Sequence, residues 1–383
     1  MNNDLDIKGK SAEELMALYY EMADTEGEET SKEKSEKAFA CLKAAADKGS
    51  PEAWAELGAC YFGGIGVPEN HALALDYLEK AALRGIANAQ LNLYSIMWQQ
   101  SQTDEERKNA LYWLEQAAEK NVPSALNEMG TLYYNGLIFK QDFKKAVTYF
   151  KQAGEAGYGE ALAMVGVCYQ QGQGVEQDME KAVEYYIDAA KEDSLTGLYN
   201  LGNAYMGGLG VEQDYSEAMN CFMMLTDLDD PFFPMPDLND INTRSDIAKV
   251  YCMSKVYELV YPLAHHNIGI MFQQGLGTEA DPGSALYHFM LASENGFAPS
   301  CLQAGSMLYA GEGVTSDPEK AFEYLSVALD AGIPEAKLIL GIMYYCGEGV
   351  AEDRKKGLAF IDELITMGNI TAMQVKQNLL GSG

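Results

Sequence analysis

The same short pattern returns every 36 residues along this chain, and few folds accommodate such a period. With the glycine of a Leu-Gly pair or its equivalent as anchor, the register runs through Gly58, Gly130, Gly166 and Gly202, then Gly269, Gly305 and Gly341. Gly58 and Gly130 are two periods apart with Tyr94 in the slot between them, and Met22 continues the register toward the N-terminus. Between Gly202 and Gly269 lie one period and an insertion of 31 residues, so the chain holds nine units. A period between about 20 and 50 residues marks a solenoid of stacked helix pairs. A compact globule of 383 residues would split into two or three domains. An array escapes that limit because each unit contacts only its neighbours.

Each unit reads as helix A, a glycine loop, helix B and a short turn. Helix A carries apolar and aromatic residues at helical spacing, as in Trp54, Leu57 and Tyr61 or Leu198, Leu201 and Tyr205. The loop carries Gly-x-Gly at Gly64 and Gly66, Gly172 and Gly174, Gly208 and Gly210, Gly275 and Gly277, Gly311 and Gly313, and Gly347 and Gly349. In most units an acid stands four residues after the second glycine position, as at Asp142, Asp178, Asp214, Asp281, Asp317 and Asp353. That place suits an N-cap, whose carboxylate accepts the orphan amides opening helix B. Lys-Ala follows at Lys145-Ala146, Lys181-Ala182 and Lys320-Ala321, with an aromatic three residues on at Tyr149, Tyr185 and Tyr324. Gly85, Gly157, Gly296, Gly332 and Gly368 close helix B.

The pattern Ala-x3-Leu-Gly-x2-Tyr-x2-Gly-x-Gly-Val-x2-Asp-x2-Lys-Ala resembles the Sel-one-like repeat family, a relative of the tetratricopeptide repeats. Ala161 to Ala182 matches it almost position for position, with Val165 in place of the leucine. The resemblance implies an all-α, right-handed α/α superhelical solenoid whose A helices line a concave inner surface. It implies a protein-binding adaptor and carries no catalytic residues. The expected organisation is an N-terminal cap (1–17), repeats 1–6 (18–228), an acidic and aromatic insertion with an extra helix (229–262), repeats 7–9 (263–368) and a C-terminal cap helix (369–383). Residues 95–106 depart from the pattern: Gln100 and Gln102 replace the loop glycines, which predicts a reshaped turn.

The formal charge of -30 is spread along the chain, which argues against nucleic acid, whose phosphates demand clustered Lys and Arg. It repels anionic membranes and suits a basic partner. The opening residues MNNDLDIKGK have no apolar core, so no signal peptide is expected in them, and no run of 18 apolar residues is present to span a membrane. Seven cysteines, an odd number with no regular recurrence, make a poor disulfide framework, so a reduced, cytoplasmic chain is expected.

On helix A the face away from the core stripe is largely neutral and rich in amides: Asn92, Gln99, Asn135, Gln171, Asn200, Asn203, Asn267, Gln274 and Gln303. Amides can donate to and accept from a peptide backbone without a charged ligand. Trp98, Tyr134, Tyr309 and Tyr345, four residues after their anchors, are expected to border this face with amphipathic rings. The insertion places Phe232 and Phe233 among prolines and aspartates, a candidate contact or lid. Its acids lack the glycine and terminal glutamate of an EF-hand loop and read as a solvated segment.

No metal or cofactor is expected. Gly-x-Gly recurs six times, and none of the six runs into Gly-Lys-Ser/Thr or follows a strand, so it is punctuation rather than a phosphate loop. His265 and His266 point to different sides of one helix, and His288 fills the aromatic slot of helix B in the same unit, where one of the pair can approach it. The expected function is a non-catalytic scaffold holding a protein or peptide on its A-helix surface. The alternative is an acidic inhibitor or immunity-type protein on a basic folded partner, and a weaker rival is a metal enzyme centred on the three histidines.

Overall fold

The computed structural model describes residues 7, 9–23, 32–226 and 247–381. Among them every regular element is an α-helix, and the helices alternate A and B as the period requires. Repeat 1 is Ala12–Ala23 and Lys32–Asp47, repeat 2 Pro51–Gly63 and His71–Leu83, and repeat 3 Ala87–Gln100 and Asp104–Glu119. Repeat 4 is Pro123–Asn135 and Phe143–Glu155, repeat 5 Gly159–Gln171 and Met179–Lys191, and repeat 6 Leu195–Gly207 and Tyr215–Thr226. Repeat 7 is Ile247–Gln274 and Pro282–Glu294, repeat 8 Ala298–Ala310 and Pro318–Asp330, and repeat 9 Ala336–Cys346 and Arg354–Thr366. A last helix, Ile370–Gly381, follows. The fold is an all-α repeat solenoid. The described residues form two compact units, one holding residues up to 197 with 247–256, the other 198–226 with 257–381.

Inside each unit one geometric rule explains the anchor. The glycine sits where helix A crosses helix B of its own repeat, and a Cβ there would lie 2.6 Å from Leu78 at Gly58 and 2.6 Å from Phe150 at Gly130. In the second unit it would lie 2.7 Å from Phe289 at Gly269 and 2.7 Å from Leu325 at Gly305. A helix-interior glycine costs about 1 kcal/mol of propensity. Here it lets a large B-helix side chain, fully buried in the case of Phe150 or Phe289, press on the A-helix backbone.

The loop glycines serve two purposes. The first, such as Gly172 at φ 69, ends helix A in the left-handed region. The second is in some repeats also a contact: at Gly349 a Cβ would overlap the Pro318 carbonyl opening the preceding B helix. The six capping acids behave as their spacing predicts; Asp178, for example, accepts from the Lys181 amide at 3.0 Å. In repeat 3 the reshaped turn uses a capping box instead, with Thr103 and Glu106 bonding reciprocally to each other's amides. At the close of helix B the glycine slot is held in two repeats by Asn121 at φ 57 and Asp193 at φ 55.

Helix Ile247–Gln274 runs for 28 residues with Pro262 inside it, so the extra helix read near 245–260 continues into helix A of repeat 7. Phe232 and Phe233 lie outside the described residues.

Candidate functional site

Within a unit, hydrogen bonds on or beside the A helices join successive repeats, and several involve residues of the stripe singled out in the sequence. In the first unit the Tyr94 hydroxyl donates to Glu128 Oε1 at 2.8 Å, and the Tyr134 hydroxyl donates to Gln171 Oε1 at 3.3 Å. Ser194 Oγ donates to Glu160 Oε1 at 2.8 Å. In the second unit Asn267 Nδ2 donates to Asn203 Oδ1 at 3.0 Å, and the Tyr309 hydroxyl donates to Glu348 Oε2 at 2.6 Å. The Tyr345 hydroxyl reaches the Leu379 carbonyl at 3.3 Å. These bonds span 34 to 64 residues of sequence and set the register between repeats. Burial holds the Glu128 carboxyl above the usual carboxylate range, with the Tyr94 bond partly opposing it. Burial, then Glu348, raises the Tyr309 phenol.

The candidate residues therefore separate by exposure. Asn92 is only 2% exposed and Asn267 is 8% exposed, while Trp98, Tyr134, Asn200, Asn203, Gln303, Tyr309 and Tyr345 are half-buried. Trp98 packs on Tyr94 with ring centroids 5.6 Å apart. Gln99, Asn135, Gln171 and Gln274 are exposed. These four occupy one register position, five residues after the anchor. The same position holds Gly63 in the first unit and Gly207, Ala310 and Cys346 in the second, all exposed. From repeat 2 to repeat 9 it is solvent-facing and never charged. A search for amides passes over the glycines, alanine and cysteine of this row; the signal that finds them is the absence of charge at a fixed register.

Repeat 7 carries the other polar cluster. His265 Nδ1 faces His288 Nδ1 at 2.8 Å, and His266 Nδ1 meets Ser300 Oγ at 2.8 Å. His265 is the member of the adjacent pair that approaches His288. Burial pushes all three rings down to about 4, and His288 adds to the effect on His265. Among the described residues no group of three or more His, Cys, Asp or Glu is arranged to hold a metal ion. No described helix is long and apolar enough to cross a membrane.

The family comparison covers most of the chain. The Sel1 repeat model matches residues 17–50, 51–86, 99–122, 123–158, 159–194, 196–229, 262–297, 298–333 and 334–369. No curated protein sequence gives a significant match. Among solved structures, the chain is similar to a protective antigen of uropathogenic Escherichia coli strains that displays an SLR fold, with 21% identity and a TM-score of 0.50 over 97% of this chain and 88% of that one. It is also similar to a Sel1 repeat protein from Oxalobacter formigenes, with 20% identity and a TM-score of 0.54 over 72% of this chain and 95% of that one. At these identities the likeness speaks for the fold alone. Nine matched repeats, which together cover most of the chain and fall on its alternating helices, establish that the chain belongs to the Sel1 repeat family.

Proposed function

We propose that this protein is a non-catalytic scaffold that holds an extended segment of a partner protein along its A-helix face. Sel1 repeat proteins generally mediate protein–protein interaction, and the family is typically non-catalytic. The observation that carries the reading is the exposed row five residues after the anchor, uncharged in eight repeats of a chain whose net charge is -30. A row free of charge keeps desolvation small when a peptide backbone docks, and its amides supply donors and acceptors to that backbone. The buried Asn267 and the half-buried Asn203 join two neighbouring A helices by a hydrogen bond. The half-buried rings of Trp98, Tyr134, Tyr309 and Tyr345 border the row in the manner of interface aromatics.

The test is near-isosteric. Gln99→Glu, Asn135→Asp and Gln171→Glu together add charge and remove donors, while the side chain at position 171 keeps an oxygen to accept from Tyr134. A partner captured from the native host by the wild type should be lost by this variant at unchanged melting temperature. Equal capture by both would refute the row as the contact. The net charge of -30 also favours a second reading, a basic folded protein held by the acidic exterior. Such binding should weaken steeply between low and physiological ionic strength, whereas docking on the neutral row should barely change.

A further inference from the structure

Three of the chain's four histidines sit in repeat 7, in slots that neighbouring repeats fill with apolar residues. The place of His265 is held by Leu126, Leu162 and Leu198 elsewhere, that of His266 by Leu91 and Leu302, and that of His288 by Tyr149, Tyr185 and Phe360. His265 is 3% exposed and His288 is 9% exposed. Both rings keep the packing role of the residues they replace. His288 stacks on Phe272 at 5.7 Å, as Tyr185 stacks on Tyr169 at 5.5 Å in repeat 5. Tyr261 meets His265 edge-on at 4.5 Å.

The proton inventory of this pair is tight. Two neutral imidazoles bring two ring protons, and one of them bridges the facing Nδ1 atoms. If His265 donates, its Nε2 is a bare acceptor; if His288 donates, His265 Nε2 carries the other proton. Either way His265 Nε2 is buried without a hydrogen-bond partner among the described residues. A further proton makes a cation among aromatic rings, and one more places protons on both facing Nδ1 atoms and breaks the bridge. The titratable neighbours are Tyr257, Tyr261 and His266 on the same helix and Tyr287 on helix B. His266 lies between Phe289 and Phe297 and bonds Ser300 of repeat 8. Burial acts on all three rings, and the His288 ring adds to it at His265; among the described residues no carboxylate is a cause of these shifts.

We infer that repeat 7 is an acid-sensitive joint, closed while His265, His266 and His288 are neutral and opened locally when they take up protons. The device is built into one repeat, so acid should loosen that helix pair before the others. Asn267, whose amide ties this helix to Asn203, lies two residues beyond His265, so opening would also release an inter-repeat bond. Any consequence for a partner rests on the A-helix binding proposed above; the opening itself does not.

The test is hydrogen exchange of the full chain, corrected for intrinsic rates, from pH 7 to pH 4.5. It compares wild type with His265→Leu, His266→Leu, His288→Phe, residues that sibling repeats already hold in these slots. Wild type should lose protection in 257–294 by 10-fold or more relative to repeats 4 and 5, and the variant should keep it. Equal behaviour of the two proteins, or no selective loss in repeat 7 of the wild type, would overturn the inference. Partner binding at the two pH values is measured separately: opening without loss of binding would count against the A-helix reading alone.

Discussion

The second glycine of the loop offers a clean separation of backbone conformation from close packing. Gly66 and Gly349 occupy the same repeat position at φ 69 and φ 70. A Cβ added at Gly66 meets nothing within 4 Å among the described residues, whereas at Gly349 it overlaps the Pro318 carbonyl oxygen, with the Glu319 amide nitrogen 2.9 Å away. Both alanine variants must hold a left-handed conformation, which costs an L-residue about 1 kcal/mol. Only Gly349→Ala must also push the preceding helix aside, and because the obstacle is backbone it cannot be relieved by a rotamer change. Overpacking of this kind adds about 1–3 kcal/mol. The expected costs are therefore about 1 kcal/mol for Gly66→Ala and about 2–4 kcal/mol for Gly349→Ala. A difference of that size raises the local opening constant roughly 10- to 100-fold. An array need not unfold in one step, so the suitable assay is residue-level hydrogen exchange in repeats 8 and 9 for one variant and repeats 1 and 2 for the other, beside thermal melting. Equal costs at the two sites would refute the view that the loop glycine is a contact between repeats.

Asp178→Ala should remove the cap of Met179–Lys191 and cost about 1 kcal/mol, read as faster exchange in its first turn without loss of partner binding. A double-mutant cycle of Asn267→Ala and Asn203→Ala should return a coupling of about 1 kcal/mol, and additive losses would show that the bond contributes nothing. Asp193→Gly should stabilise repeat 5 by about 0.5–1 kcal/mol, since Asp193 holds φ 55 in the slot where most repeats have glycine. Folded-state values of about 4 for the buried histidines lie below their ordinary 6.5. The associated stability is thus fully present above pH 6.5 and is lost as the pH falls toward 4, by at most roughly 3 kcal/mol per ring. Denaturant titrations at pH 7 and pH 4.5 on wild type and the three-histidine variant measure it.

The sequence reveals its fold through features that recur. A helical stripe, a glycine at the crossing and an acid before helix B each carry a local physical meaning, and repetition multiplies the signal at Gly166, Asp178 and Ala182 alike. What the stripe does was harder to read. Asn267 and Asn203 share a face by their spacing, but that spacing says nothing of how far one A helix slides against the next. That slide decides whether an amide meets solvent or another amide. Asn92, placed on the open face by periodicity, is buried for the same reason. The exposed row of Gln99, Asn135, Gln171 and Gln274 was legible because the fifth position after the anchor lies at the end of helix A, where even Gln171, which accepts from Tyr134 of the preceding A helix, stays exposed. The close meeting of His265 with His288 followed from two slots of one repeat, but the orphaned Nε2 depends on side-chain geometry that no pattern contains.

Site-specific photo-crosslinking in the native host tests the proposed binding face most directly. A photoreactive residue is placed at Asn135 or Gln274 on the uncharged row, and at Glu184 or Glu323 on exposed B-helix surface. The same partner crosslinked from Asn135 and Gln274 but not from the two glutamate positions is the predicted result. Crosslinks only from Glu184 and Glu323 would place the partner on the acidic exterior and contradict the A-helix account.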